Sequence, residues 1–409
     1  MAEVPADAVN GLSAARPALI RALNEQLLLE QIRLSGPCSR AELARLSGLS
    51  KPTVSLALAN LERAGLVRLA GQRTGVPGRS ALLYEIRPEA GFVLGLDIGM
   101  RYLRGAVADL AGVVRAHASR AVATSGPRER VAELVRLADD LCAEAGISRS
   151  SVTQTVVGSP GVYDRRRDLI TLTGGLPGWD QPEALSGLRS AFGPRLTIEN
   201  DVDAAALAER AHGAGKETDD FVFVHIGTGI GMGLVLGGRL RRGAHGVAGE
   251  IAFMPFGAPG TFSEASSAGV AVDPAEMRRR GVLETAAAAD GIVRAAHRAG
   301  MTGDITARSV FEAAEQGDPR AAVVVAAEAR LVASAICCVI AAVDPSLVVL
   351  GGGVGQAPGF ADAVRSELAL IAPVTPDVRV SALGTEVVVD GCLAAGTSLA
   401  WAQLATALP

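Results

Sequence analysis

The chain has 409 residues, 49% hydrophobic and 20% charged, with a mean hydropathy of +0.30. That length supports two or three domains, and five cysteines without a C-x-x-C pair exclude a disulfide-stapled scaffold. A formal net charge of −4 excludes a wholly basic nucleic-acid coat.

The first segment, MAEVPADAVNGLSAARP, lacks a basic stretch followed by an apolar one, and nowhere do about 20 apolar residues run uninterrupted. A loose arm over 1–16, a cytoplasmic location and no membrane partner are the expectations. Cys337 and Cys338 lie in an apolar run and are expected in the core. Charge is unevenly spread. Between Gln31 and Tyr84 the cations are Arg33, Arg40, Arg45, Lys51, Arg63, Arg68, Arg73 and Arg79, against only Glu42 and Glu62. That local +6, set against a total of −4, leaves −10 on the rest: a small basic module on an acidic body.

Leu23, Leu27, Leu28 and Ile32 recur at helical spacing over 21–36. Ser39 then caps a short helix with Leu43 and Leu46, and Ser47-Gly48-Leu49 makes a turn. Ser50 caps a second helix with Pro52 in its first turn and Val54, Leu58 and Leu61 on one stripe; Gly65 ends it. Leu66–Leu69 and Ala81–Tyr84 alternate as strands around a Gly-rich tip with Arg73 and Arg79. Residues 17–88 thus predict a winged helix-turn-helix. Its second helix would present Lys51, Thr53, Ser55 and Leu56 to the major groove, with Leu56 against a thymine methyl. Arg73 and Arg79 would meet phosphate or minor groove from the wing. The partner is a pseudo-palindromic double-stranded operator, bound by a homodimer or tetramer.

From Gly91 the pattern becomes α/β. Strand, turn, strand, turn, strand runs through GFVLGLDIGMRYLRGAVADLAGVVRAHAS, with Asp97 ending the first strand, and a helix follows over 128–145. TVVGSPGVYD is a strand entering a glycine turn, and RLTIENDVDAAALAER a strand entering a helix. FVFVHIGTGIGMGLVLGGRL repeats the first hairpin, and PSLVVLGGGVG is a strand ending in three glycines. Two similar lobes follow, over 91–205 rejoined by 385–409, and over 206–384 with a dimerisation surface. Gly227-Thr228-Gly229-Ile230-Gly231 suits an anion, or is a plain hairpin turn. Asp201 is a general base or a helix cap.

In order, Asp97-Ile98-Gly99, Gly158-Ser159-Pro160-Gly161, Leu176-Pro177-Gly178-Trp179, Glu199-Asn200-Asp201, Gly227 through Gly231, Gly249-Glu250-Ile251 and Gly351-Gly352-Gly353 resemble the ROK family (repressors, open reading frames and kinases). The resemblance spans about residues 17–405. It implies actin-like, ribonuclease-H-like lobes with a sugar in the cleft, and, with the winged helix, a sugar-responsive regulator of carbohydrate genes. Carried over residue by residue, Asn200, Asp201, Glu250 and Glu264 would bind the sugar.

The departures matter as much. Gly99-Met100-Arg101 replaces the family's Gly-Gly-Thr and crowds a nucleotide phosphate. Asp201 then becomes a vestigial base, and no kinase activity is expected. Arg101 is instead positioned for the phosphate of a phosphorylated sugar. Phe253 stands where the family has a zinc-binding His, and no cysteine lies between Cys142 and Cys337, so no zinc and no other cofactor is expected. Phe253 would fill the space the zinc loop leaves, or stack on a sugar ring. A ligand-independent body serving as a dimerisation scaffold is the alternative.

Overall fold

The computed structural model describes residues 6–73, 81–124, 126–173, 175–256 and 278–406. Arg79 and Glu264 lie outside the described residues.

The N-terminal module is a winged helix. Helix α1 (Ala6–Ser35) precedes β1 (Cys38–Ser39), α2 (Arg40–Ser47), α3 (Lys51–Arg63), β2 (Val67–Arg73) and β3 (Ala81–Ile86). The caps work as the sequence indicates. Ser39 and Glu42 form a reciprocal capping box on α2, and Ser50 accepts the Thr53 backbone N–H at the start of α3. Gly48 closes α2 with φ +70°, a left-handed conformation that a side chain would strain. Val54, Leu58 and Leu61 are fully buried. The three strands lie in the order β1-β3-β2, with a bulge between Leu69 and Gly71 that twists the wing. Helix α1 begins at Ala6, ten residues inside the segment expected as an arm. Its alanines and leucines, strong helix formers, carry the helix through Pro17.

The body holds two five-stranded sheets of the same topology. In the first lobe β4 (Phe92–Ile98), β5 (Tyr102–Asp109) and β6 (Val114–Ala121) form an antiparallel meander. Helix α4 (Pro127–Glu144) leads to β7 (Val152–Ser159), parallel to β4. A short hairpin, β8 (Val162–Asp164) and β9 (Leu169–Thr171), and α5 (Pro182–Phe192) precede β10 (Leu196–Asn200), parallel to β7. The order is β10-β7-β4-β5-β6.

The second lobe repeats this. Its meander is β11 (Phe221–Ile226), β12 (Ile230–Leu236) and β13 (Arg239–Leu240). Helices α7 (Val282–Ala287), α8 (Ala289–Arg298), α9 (Ala307–Glu315) and α10 (Pro319–Val343) follow, then β14 (Leu347–Gly351), parallel to β11. The one-turn α11 (Gly352–Gly355) and α12 (Phe360–Ile371) lead to β15 (Asp377–Val380), giving the order β13-β12-β11-β14-β15.

Helix α6 (Asp201–His212) joins the lobes, so a boundary at 205/206 cuts a continuous helix. It packs against both β12 and the C-terminal helix α13 (Val387–Thr406), which returns to β4 and β7 of the first lobe. Helices α10 and α13 are long and apolar enough to cross a membrane, but α10 presents half of that stretch to the second lobe's core. Cys337 is half-buried and Cys338 exposed, so this pair rims the core instead of filling it. Helix α13 and the first sheet close one core with the winged helix: Leu28, Leu29, Ile32, Val93, Leu110, Val389, Leu393 and Trp401 share a cluster.

Candidate DNA-binding face and interlobe cleft

On the winged helix, α3 turns its polar side outward. Lys51 and Ser55 are exposed, Leu56 is 57% exposed, and Thr53 is half-buried with its hydroxyl 2.8 Å from that of Ser50. Arg73 ends β2 opposite Ala81, at the root of the wing. Not every cation of the +6 module is spare. Arg68 pairs with Glu85 and Glu89, Arg33 with Glu30, and Arg40 donates to the Tyr84 hydroxyl while lying over its ring.

In the body, the carboxyl ends of three neighbouring strands converge, as ligand sites of open α/β sheets do. Asp97 closes β4, Ser159 ends β7, and Asn200 ends β10. Two of the sequence motifs interlock here: the buried Trp179 indole donates to the Ser159 hydroxyl at 2.8 Å. Asn200 caps α6, its carboxamide oxygen accepting the N–H groups of Val202 and Asp203 while its amide donates to the Gly161 carbonyl at 3.0 Å. One amide N–H thus remains for a ligand.

The carboxylates crowd one another. Desolvation and then the charge of Asp97 push Asp201 up to about 7. Desolvation, followed by Glu284, raises Glu250 to about 7. Desolvation, followed by Glu199, raises Asp203 to about 8, although Arg242, which pairs with Glu199, opposes it. Groups held near neutrality both donate and accept hydrogen bonds, which suits a polyhydroxylated ligand.

The protein's own charges lie beside both glycine turns. Arg104 lies opposite Asp97 across the β4–β5 hairpin and donates to its carboxylate at 3.1 Å. In the second loop, Glu284 accepts the Ile230 N–H at 3.1 Å, and a Cβ on Gly229 would lie 2.8 Å from its carboxylate. Arg280 bridges Glu284, Asp290 and the Thr228 carbonyl. Beneath this loop, burial lowers His225 to about 4, so its imidazole is neutral. Neither Arg104 nor Glu284 was singled out from the sequence. Arg104 was within reach, because four residues (99–102) between the paired Ile98 and Leu103 set Asp97 opposite it. Glu284 carries no such signal.

Met100 and Arg101 are exposed in the β4–β5 turn, with the Met100 sulfur beside Gly175. Phe253 is 39% exposed. Among the described residues no group of three or more His, Cys, Asp or Glu is arranged to hold a metal.

Comparison with known proteins places these features. The ROK family model matches residues 93–399, and a MarR family model matches residues 23–80. The xylose repressor of Bacillus subtilis is 27% identical over 243 residues, covering 59% of this chain and 63% of that protein. The match thus spans under two thirds of that relative. A ROK family transcriptional regulator described as a homologue of the E. coli MLC protein superposes with a TM-score of 0.74 at 22% identity, covering 94% of this chain and 98% of that one. A ROK hexokinase from Thermus thermophilus superposes with a TM-score of 0.63 at 29% identity, covering 75% of this chain and 98% of that one. A winged helix that shares a core with two duplicated α/β lobes, and a ROK model matching most of the chain, lead to one assignment: the chain belongs to the ROK family.

Proposed function

We propose that this protein is a DNA-binding transcriptional repressor of carbohydrate uptake or catabolism genes, released or engaged by a sugar held between its lobes. The observation that carries this reading is the pairing of an outward α3 face with a carboxylate-lined cleft whose glycine turns have the protein's own charges beside them. Asp201, Glu250, Asn200 and Glu264 would bind sugar hydroxyls, with the Glu284 carboxylate near Glu250. Lys51, Thr53, Ser55, Leu56 and the wing arginines would meet DNA. The repressor and regulator relatives support it.

The same cleft argues against phosphoryl transfer. A nucleotide would have to displace Arg104 from Asp97 and Glu284 from the Ile230 N–H, breaking two charge-assisted hydrogen bonds before chemistry began. Arg101, exposed in the β4–β5 turn, would meet the phosphate of a phosphorylated sugar.

Genome-wide mapping of bound DNA, followed by operator binding with a panel of sugars, tests this. One sugar should shift operator affinity, with no sugar-dependent ADP release and no stoichiometric zinc in the purified protein. ADP release abolished by Asp201→Asn would sink the non-catalytic reading. Operator binding indifferent to every sugar would favour the ligand-independent scaffold.

A further inference from the structure

Helix α1 has two apolar faces on opposite sides. Leu28, Leu29 and Ile32 are buried in the winged helix, and Glu25 beside them accepts a hydrogen bond from Asn60 of α3 at 2.6 Å. The other face is bare: Leu19 is 60% exposed, Ile20 56%, Leu23 54%, Leu27 38% and Leu34 66%. Ile20, Leu23, Leu27 and Leu34 follow the three-four spacing of a coiled-coil seam, with Glu30 at the remaining position. At 100° per residue the seam lies roughly half a turn from the buried stripe. A helix apolar on two sides is stable in water only when both are covered.

We propose that a second copy of this chain covers this face, α1 packing on α1 about a two-fold axis. The flanks favour a copy over a different partner. Asn24, Gln26 and Gln31 border the seam, and an amide both donates and accepts, so each is complementary to its own kind. Glu30 is neutralised within its own helix by Arg33, whose Nε lies 2.8 Å from its carboxylate. Between Leu19 and Leu34 the face therefore presents no net charge that would repel a copy or recruit an oppositely charged protein. The five exposed side chains amount to about 500 Å² of apolar surface, so two copies bury on the order of 1,000 Å², the lower bound for a specific interface. Such a contact supplements another dimer contact instead of replacing it. Because Asn60 and Arg63 of α3 are tied to this region, the pairing sets the spacing of two recognition helices. That consequence rests on the DNA-binding reading, but the contact itself does not.

The test uses the full chain with Cys338→Ser, which removes the exposed thiol, and Leu27→Cys. A short thiol-to-thiol cross-linker should double its mass without DNA, while Ser55→Cys in the same background should stay single. In a second arm, Leu23→Arg should lower affinity for a palindrome roughly tenfold relative to a single half-site, leaving the melting temperature unchanged. A cross-link within one chain, or none at position 27, overturns the proposal whatever happens with DNA. An unchanged palindrome-to-half-site ratio also overturns it. If no DNA is bound at all, the cross-link alone decides, and only the DNA-binding reading fails.

Discussion

At the residue scale, Asp203 shows what the cleft costs. It is buried on α6, and desolvation followed by the charge of Glu199 raises it to about 8. An acid raised in the folded state keeps a proton that the unfolded chain releases. Stability from this group is therefore largest at or below the ordinary carboxylate range and falls as pH rises to about 8. Asp203→Asn removes that dependence. The variant's melting temperature should exceed the parent's by more at pH 8 than at pH 6, by a few degrees across that interval. A constant difference would mean that Arg242 keeps Asp203 ionised throughout. Acids perturbed in this way cluster at functional sites.

At the element scale, α13 connects the cleft with the DNA-binding module. Near its start, Val388 packs against Gly158, and Cys392 donates to the Leu96 carbonyl one residue before Asp97. Gly391 lies so close to α6 that a Cβ would be 1.7 Å from the Ala204 carbonyl, one turn from Asp201. Near its end, the Trp401 indole donates to the Leu110 carbonyl at 2.9 Å, and the ring shares a core with Leu28 and Ile32. A shift of α6 on ligand binding has a packed route to α1. Gly391→Ala should force α6 and α13 apart, costing about 1–3 kcal/mol as overpacking does. The sugar's effect on operator affinity should shrink toward nothing, while binding without sugar persists. An intact sugar response in a folded variant would show that coupling runs elsewhere.

The elements themselves were largely legible. Alternation and turn residues marked both meanders, and serine caps marked α2 and α3. What escaped was tertiary. Leu23 and Leu27 share a helical period with Leu28 and Ile32, yet only the latter pair is buried, because periodicity does not say which of two apolar faces finds a neighbour. Likewise Asn200 read as a ligand residue although most of its hydrogen-bonding capacity is spent on capping α6. Arg104 could have been found by counting across the hairpin, whose register sets it opposite Asp97.

At the scale of the whole molecule, charge separates the two activities. The segment from Gln31 to Tyr84 carries +6 and the remainder −10, so under the proposed function the small module would attract a duplex and the body would repel it. Arg33 and Arg68 are spent on internal carboxylates, leaving about six cations per domain for phosphates. Raising salt from about 50 to 200 mM should then weaken binding to one half-site roughly a thousandfold. A nearly flat salt dependence would mean that the basic module does not meet the backbone. The same measurement reads the effector. A sugar that lifts one domain of a bound pair off its half-site removes half the phosphate contacts and should halve the slope on a palindrome. A sugar that weakens both domains without displacing either should lower affinity at an unchanged slope. The packed route through α13, which moves a domain as a unit, favours the halved slope.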